Sequence, residues 1–509
     1  MRRAIRTVRA YGSCLEGTEA AVVRVEARFT PSEKTGRTEV VMTGLPDAIL
    51  RETKWRLLDA LEECGLRVPQ GRLLLHLIPA ARPKRGDSLD LALALASAAA
   101  CGHLDPSALD DILWLGEIGI DGELHAVPGG LAAAIAAGES GISEVIAPEA
   151  TALEAAYTQR VTARAARRLK DAVGHITGRT LPALSSLEPA EITPQASAGL
   201  DEVRGQAAAK EALLVAAAGQ HGLLLLGPPG SGKTMLAKRI AGLMPPPTLH
   251  ERLEITRVLS AAGRWPGGLA TERPFRAPHH TASHVALVGG GPKVEPGEAS
   301  LAHQGVLFLD ELPEFRRETL EALREPLESG EVLISRAGAK LRLPARVLLA
   351  AAMNPCPCGW LGHPRKNCRC TPHAISRYRG RISGPFLDRV DLRIEVPPPS
   401  FEEILCTRPL PSAPREDQLR DRLKDSLKCR AERGQITPNS QLTPSELDRW
   451  AAHDKKSLSL LERATACGGW TARGLQSTRR VARTLADLDS SEEIQPEHIA
   501  RAIGLRAEF

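Results

Sequence analysis

The chain has 509 residues, 43% of them hydrophobic and 25% charged, with aromatic residues at only 3%. That length accommodates two to four domains, and the apolar-to-charged balance excludes a disordered chain and a small disulfide scaffold. The formal net charge of +5 is mild, so any nucleic-acid footprint has to come from local patches.

The N-terminal MRRAIRTVRAYGS is basic but has no apolar stretch behind it, so no secretory signal is visible. The longest apolar run, LALALASAAAC at 91–101, follows Asp90 and is too short to span a bilayer. The expectation is a cytoplasmic protein without membrane contact. Its cysteines stay reduced there, and clustered ones read as metal ligands before disulfides. Residues 1–180 alternate strand-like runs (AAVVRVEARF, RLLLHLIPA) with a helix-like one (SLDLALALASAAACG). Residues 181–199, rich in Pro, Ser and Glu, read as a linker. Residues 200–400 form a second α/β region with the buried-strand runs GLLLLG, GVLFLD and RVLLAAAMN. Residues 401–509 are helical and polar, and include the amphipathic TARGLQSTRRVARTLADL.

The sharpest motif is GLLLLGPPGSGKT at 222–234, followed by the helix pattern MLAKRIAGLM. A buried strand, a Gly-rich turn and a helix start form a phosphate-binding loop in its required context. Gly227, Pro228, Pro229, Gly230, Ser231 and Gly232 let backbone N–H groups converge on phosphate oxygens, beside a helix N-terminus of partial positive charge. Lys233 is expected at the β/γ-phosphates and the Thr234 hydroxyl on Mg²⁺. Downstream, GVLFLDE ends a buried strand in two acids. Asp310 is expected to hold Mg²⁺, directly or through water, and Glu311 to polarise the attacking water, because a carboxylate pair there calls for a cation or a water network. A third strand ends at Asn354, a polar group suited to orienting that water. FLDRVD offers Arg389, and WTARG offers Arg473.

The order phosphate loop, LFLDE, AAMNP, SGPFLDRVD, TARGLQSTRRVARTLADL resembles an AAA+ ATPase of the magnesium-chelatase-like branch. More narrowly it is similar to the ComM/YifB family, a competence-linked group of bacterial ATPases, over nearly the whole chain. RPFRAPHHTASHVALVGGG at 273–291 and the stretch from LFLDELPEF to AAMNPCPCG lie close to that family's signatures. The resemblance implies ATP and Mg²⁺, with Asn354 as the first sensor. It implies Arg389 as an arginine finger acting on the neighbouring subunit's ATP, and Arg473 as a second sensor touching the γ-phosphate from a helical lid. VRGQ at 203–206 corresponds to a segment packing near the adenine. A finger supplied by a neighbour implies a ring, expected to be a homohexamer.

Cys356, Cys358, Cys368 and Cys370 supply four thiolates as two Cys-x-Cys pairs with nine residues between them. One closed tetrahedral Zn²⁺ shell is the leading reading, ahead of ordinary reduced thiols and of iron–sulfur or redox chemistry. The segment 361–393 carries eight Lys or Arg against two Asp, a net +6. A second basic element, EVLISRAGAKLRLPAR, has strand signals on both sides of its AGA turn and carries Arg336, Lys340, Arg342 and Arg346. In the related branch such a hairpin points into the ring pore. With few aromatics for base stacking, sequence-independent binding to the backbone of single-stranded or branched DNA is expected. The competing reading is a solvated charged face.

In the N-terminal region, PKRGDSLDLALA followed by LGEIGIDGELHAVPGGLAAA resembles the Lon-protease proteolytic fold, an α+β domain of the ribosomal S5 domain 2 type. Ser88 falls where that family keeps its nucleophile, but Ala132 stands where its partner lysine belongs. Lys84 belongs to the loop motif, not to the dyad position. A serine without an amine to take its proton is a poor nucleophile, so Ser88 is expected to cap the following helix in a non-proteolytic domain. That domain also argues against a true chelatase motor subunit, which lacks it. His279 and His280, adjacent on an irregular stretch, read as loop packing or partner contacts. The expected fold class is α/β in three parts: the α+β domain, a parallel-sheet AAA+ domain with a phosphate loop, and a C-terminal helical lid. The expected function is an ATP-driven DNA motor, a hexameric branch-migration helicase of natural transformation or recombination. The alternative is a chelatase-type protein-remodelling ATPase that does not act on DNA.

Overall fold

A computed structural model describes residues 7–32, 38–44, 47–79, 87–185, 199–291, 294–336, 339–400, 415–451, 455–468 and 470–506. The N-terminal part is built on a seven-stranded mixed sheet. Its strands are β1 (Val8–Glu16), β2 (Glu19–Pro31), β3 (Glu39–Thr43), β4 (Gly71–Ile78), β5 (Ile112–Trp114), β6 (Glu144–Ala147) and β7 (Thr162–Ala165). They lie in the order β3-β4-β2-β1-β5-β6-β7. The β1–β2 and β2–β4 pairs are antiparallel and the others parallel. The apolar run at 91–101 becomes the helix Asp90–Ala100, buried all round against this sheet rather than exposed on one face. A helix without a polar face needs a core on every side.

The second part carries a five-stranded, all-parallel sheet. Its strands are β8 (Leu223–Leu226), β9 (Phe275–Arg276), β10 (Gly305–Leu309), β13 (Val347–Met353) and β14 (Leu392–Glu395), in the order β9-β10-β13-β8-β14. Between β10 and β13 the chain forms an antiparallel hairpin, β11 (Glu331–Arg336) with β12 (Ala339–Pro344). Every residue of β8 is buried, as continuous leucine requires in a strand covered on both faces. Beyond residue 414 the described chain is helical, with the 17-residue helix Ala472–Leu488 at its centre. His221, fully buried just before β8, ties that helix to the sheet. Its Nδ1 lies 2.9 Å from Asp391 Oδ2 and its Nε2 2.7 Å from Thr484 Oγ1.

The first and second parts meet at a buried polar contact. Ser260, on the helix Leu249–Ala261, hydrogen-bonds the Glu154 carboxylate and accepts from the Gly129 N–H at 2.9 Å. Burial pushes the Glu154 carboxyl upward, against the Ser260 hydroxyl and the backbone N–H groups of Leu131 and Gly130, which pull it down. The expected linker starts late, because the Leu184 N–H still donates to Ala163 O at 2.8 Å. Residues 186–198 lie outside the described residues, as do Lys84 and residues 401–414. Among the described residues no helix is long and apolar enough to cross a membrane.

Candidate active site

The phosphate loop runs from the C-terminal end of β8 into the helix Lys233–Leu243. Gly230 and Gly232 have φ of +79° and +90°, and a Cβ on either would meet nothing within 4 Å, so their backbone faces an open concavity. Gly227 is required for a different reason: a Cβ there would stand 2.2 Å from the Val396 carbonyl oxygen. The Ser231 hydroxyl is buried and has no hydrogen-bond partner. An open Gly-lined cradle with an unanswered polar atom suits a phosphate chain.

Around that loop three strand ends converge. Lys233 donates from Nζ to Gly227 O (2.7 Å), Pro228 O (2.9 Å) and Asn354 Oδ1 (3.3 Å). Burial lowers the Lys233 pKa, and the negative charges of Asp310 and Glu311 act against that. The Thr234 hydroxyl donates to Asp310 Oδ2 at 2.7 Å, which brings the two expected Mg²⁺ ligands together. The other Asp310 oxygen accepts from the Glu311 N–H at 2.9 Å. Phosphate loop, both acids and Asn354 thus meet at the C-terminal edge of one parallel sheet, where β8, β10 and β13 end. Gln206, in the expected adenine-side segment, donates from Nε2 to Pro397 O at 2.7 Å.

By sequence His280 reads as loop packing or a partner contact, whereas the structure brings it to Glu311. Its Nδ1 stands 3.4 Å from Glu311 Oε2, with the His279 ring 4.1 Å away, centroid to centroid. The signal was present but long-range: the histidines follow β9, and β9 pairs in parallel with β10, whose end carries Glu311. The RPFR of the same motif anchors that loop. Arg273 donates to Pro245 O and Gln304 O, both at 2.7 Å, and Arg276 makes a bidentate pair with Glu298 at 2.6 and 2.8 Å.

The two expected catalytic arginines stand together and outside this cluster. Arg389 donates to Arg324 O, to Pro385 O and, at 2.5 Å, to Glu328 Oε2. Arg473 pairs with the other oxygen of the same carboxylate at 2.9 Å. The expectation placed Arg473 at the γ-phosphate from a lid. The helical region instead docks beside β14, where Arg393 and Arg506 bridge, and this brings Arg473 to Arg389.

The basic segment divides. Arg379 is spent on Pro355 O, Arg381 on Glu314, Arg389 on Glu328 and Arg393 on Leu387 O. Arg365, Lys366, Arg369 and Arg377 remain exposed, as do Lys340, Arg342 and Arg346 on and beside the hairpin. The Arg336 side chain lies outside the described residues. The four cysteine Sγ atoms lie within 4.8 Å of one another.

Ser88 does not cap the helix. Its hydroxyl donates to Ser13 O at 2.7 Å, and the cap position falls on Leu89, which has no side-chain cap bond. A cavity of about 80 Å³ adjoins it, lined by Ser13, Asp87, Gly129, Ala133 and others, with no lysine among the described residues that line it. Ala132 is buried in the helix Gly130–Glu139.

A parallel sheet of this strand order, with a phosphate loop between its β13 and β14 neighbours and a helical domain behind, defines an AAA+ ATPase fold. Comparison with known proteins narrows the class. The family described as "Magnesium chelatase, subunit ChlI" matches residues 199–404, "Subunit ChlI of Mg-chelatase" matches 30–151, and "Magnesium chelatase, subunit ChlI C-terminal" matches 415–506. The chain is 39% identical to the competence protein ComM of Haemophilus influenzae, covering 98% of this chain and 97% of that protein. It is 38% identical to the uncharacterized protein YifB of Escherichia coli, covering 96% and 95%. It is 27% identical to the magnesium-chelatase 38 kDa subunit of Cereibacter sphaeroides over 58% of this chain and 86% of that subunit. The chain belongs to the magnesium-chelatase-like family of AAA+ ATPases, in the group typified by ComM and YifB.

Proposed function

We propose that the chain is an ATP-driven DNA motor that works as a cytoplasmic homohexameric ring and migrates branches during competence-linked recombination. The observation that carries this reading is the division of the ATP site. Lys233, Thr234, Asp310, Glu311 and Asn354 gather at one sheet edge, while Arg389 and Arg473 wait together at Glu328. A neighbouring subunit supplies the missing cations when such arginines act in trans. Exposed Lys340, Arg342 and Arg346 at the hairpin support a phosphate-backbone track, and the likeness to a competence protein supports the pathway.

In this reading the loop N–H groups and Lys233 hold the phosphate chain of ATP. Lys233 exchanges its carbonyl partners for phosphate oxygens. Glu311 orients the attacking water and takes its proton, and Asn354 fixes that water on the other side. Thr234 and Asp310 are the residues that would hold Mg²⁺, which supplies charge neutralisation on the phosphates when bound. The four cysteines are read as a Zn²⁺ shell.

The test is ATP hydrolysis by the purified chain with and without single-stranded, duplex and four-way-junction DNA, with Glu311→Gln as the blank. Stimulation by junction or single-stranded DNA that fades at high salt is expected, with a loss of about 100-fold or more in the blank. One observation favours a second reading: Leu333, midway along β11 and paired with Arg342, is 49% exposed, an apolar side chain on the hairpin suited to gripping protein. Hydrolysis indifferent to every DNA would select that reading, a protein-remodelling ATPase of chelatase type.

A further inference from the structure

Residues 354–371 lead from β13 to the helix Pro372–Arg379 without a helix or strand of their own. A segment that short cannot hold its shape by burying apolar surface, so something else has to fix it. Cys356 is buried and the other three cysteines are half-buried. Cys356 Sγ lies 3.4 Å from Cys358 Sγ and 3.6 Å from Cys368 Sγ, and Cys358 Sγ lies 3.7 Å from Cys368 Sγ. A tetrahedron of sulfurs at a Zn–S distance of about 2.3 Å has edges of about 3.8 Å. A disulfide needs about 2.05 Å. The spacing therefore suits four thiolates around one ion. The Cys370 N–H donates to Cys368 Sγ at 3.4 Å, the kind of outer partner that steadies a ligand.

The same segment leans on the ATP site at two points. Gly359, one residue after Cys358 and at φ +80°, packs so closely on the phosphate loop that a Cβ would stand 2.6 Å from Pro229 Cδ. Asn354, two residues before Cys356, accepts from Lys233 Nζ at 3.3 Å. Between them Pro355 O accepts from Arg379 Nε and Nη2 at 3.3 and 3.2 Å.

We propose that the four cysteines hold one Zn²⁺ as a brace for the ATP site. The shell presses Gly359 on Pro229 and keeps Asn354 on Lys233, so metal loading sets the rate of hydrolysis. This inference rests on the ATPase reading above. Cys368 and Cys370 are remote in sequence from Asn354, so the Cys368→Ser/Cys370→Ser variant removes the ion without altering the residues that flank the sensor.

The experiment measures zinc content, ATP turnover and melting temperature together. One zinc per wild-type chain is expected, and none in the double variant. Turnover in that variant is expected to fall at least tenfold with the fold retained. Gly359→Ala keeps every ligand, so it is expected to keep its zinc and still lose turnover severalfold. Absence of zinc in the wild type after reduction and zinc resupply overturns the shell. Bound zinc with unchanged turnover in the double variant overturns the brace and leaves the ATPase reading standing. No hydrolysis by the zinc-loaded wild type, at any DNA, overturns the ATPase reading itself, and with it the brace. If the double variant does not fold, zinc is stripped from the folded wild type with a zinc-selective chelator in the presence of Mg²⁺ and then restored. Turnover that ignores the metal then overturns the brace.

Discussion

Glu311 stands at φ +52°, a left-handed conformation that costs a non-glycine residue about 1–2 kcal/mol. The surroundings hold it there: the Asp310 carboxylate accepts from its N–H, and His280 faces its carboxylate. If Glu311 is the base of the proposed mechanism, His280 holds it away from water. His280→Ala should therefore release Glu311 and raise DNA-independent ATP turnover severalfold, while narrowing the gap between rates with and without DNA. Turnover measured with and without junction DNA decides it, and unchanged rates in both would remove His280 from the site. His280→Gln, which keeps a polar partner for the carboxylate, should retain more of the DNA response. The phosphate loop could be read from sequence because its chemistry is local, a strand, a turn and a helix start within 13 residues. His280 could not, because its partner lies across a strand pairing that no residue spacing reveals.

At the scale of elements, the helix Asp90–Ala100 shows how hydrophobicity identifies burial without identifying cost. Its leucines and alanines made it legible as a core element. The carboxylate at its first turn is 3% exposed, and one of its oxygens has no hydrogen-bond partner. Burial pushes the Asp90 pKa up to about 7, although Arg56 at 2.9 Å pulls the other way. A carboxyl titrating near 7 when folded and near 3.8 when unfolded holds its proton more tightly in the folded state. The folded state is thus favoured most at low pH, and that advantage is lost as pH rises from about 4 to about 7, about 4 kcal/mol in all. Asp90→Asn should flatten the pH dependence of unfolding across that window, measured by denaturant titration at several pH values. A slope equal to that of the wild type would show that Asp90 is ionised throughout. Ser88, at the same end of this helix, shows the converse limit. A cap is a sound guess for a serine before a helix. Here a strand carbonyl from Ser13 takes its hydroxyl instead, a tertiary contact that local sequence does not encode.

At the scale of the whole molecule, the two arginines expected to act on ATP, Arg389 and Arg473, sit together at Glu328 and apart from the Lys233 cluster at the phosphate loop. The family resemblance implies that Arg473 touches the γ-phosphate from a helical lid, but likeness of motifs says nothing of how a helical domain docks. In the folded chain Glu328 answers both Arg389 and Arg473. Burial pushes that carboxyl's pKa up, and the two guanidiniums together outweigh it, so the group is held below the usual carboxylate range. In the proposed ring this carboxylate has to surrender both arginines to the neighbour's phosphates. Glu328→Gln should weaken that restraint, shifting the protein concentration at which ATP turnover per chain becomes constant to a lower value by severalfold. Turnover measured over a dilution series checks it, and a curve superimposable on that of the wild type would mean that Glu328 does not oppose assembly.

The contact between Ser260 and Glu154 also has a consequence in time. These partners are 106 residues apart in sequence. At translation rates of about 5–20 residues per second, Glu154 is made about 5–20 seconds before the serine that will cover it. During that interval the N-terminal domain can fold but presents an ionised, hydrated carboxylate. When the helix Leu249–Ala261 arrives it has to strip water from that group. The N-terminal domain is therefore a product completed only after its own synthesis is over, and a nascent chain cut short before residue 249 leaves the ribosome with this seam open.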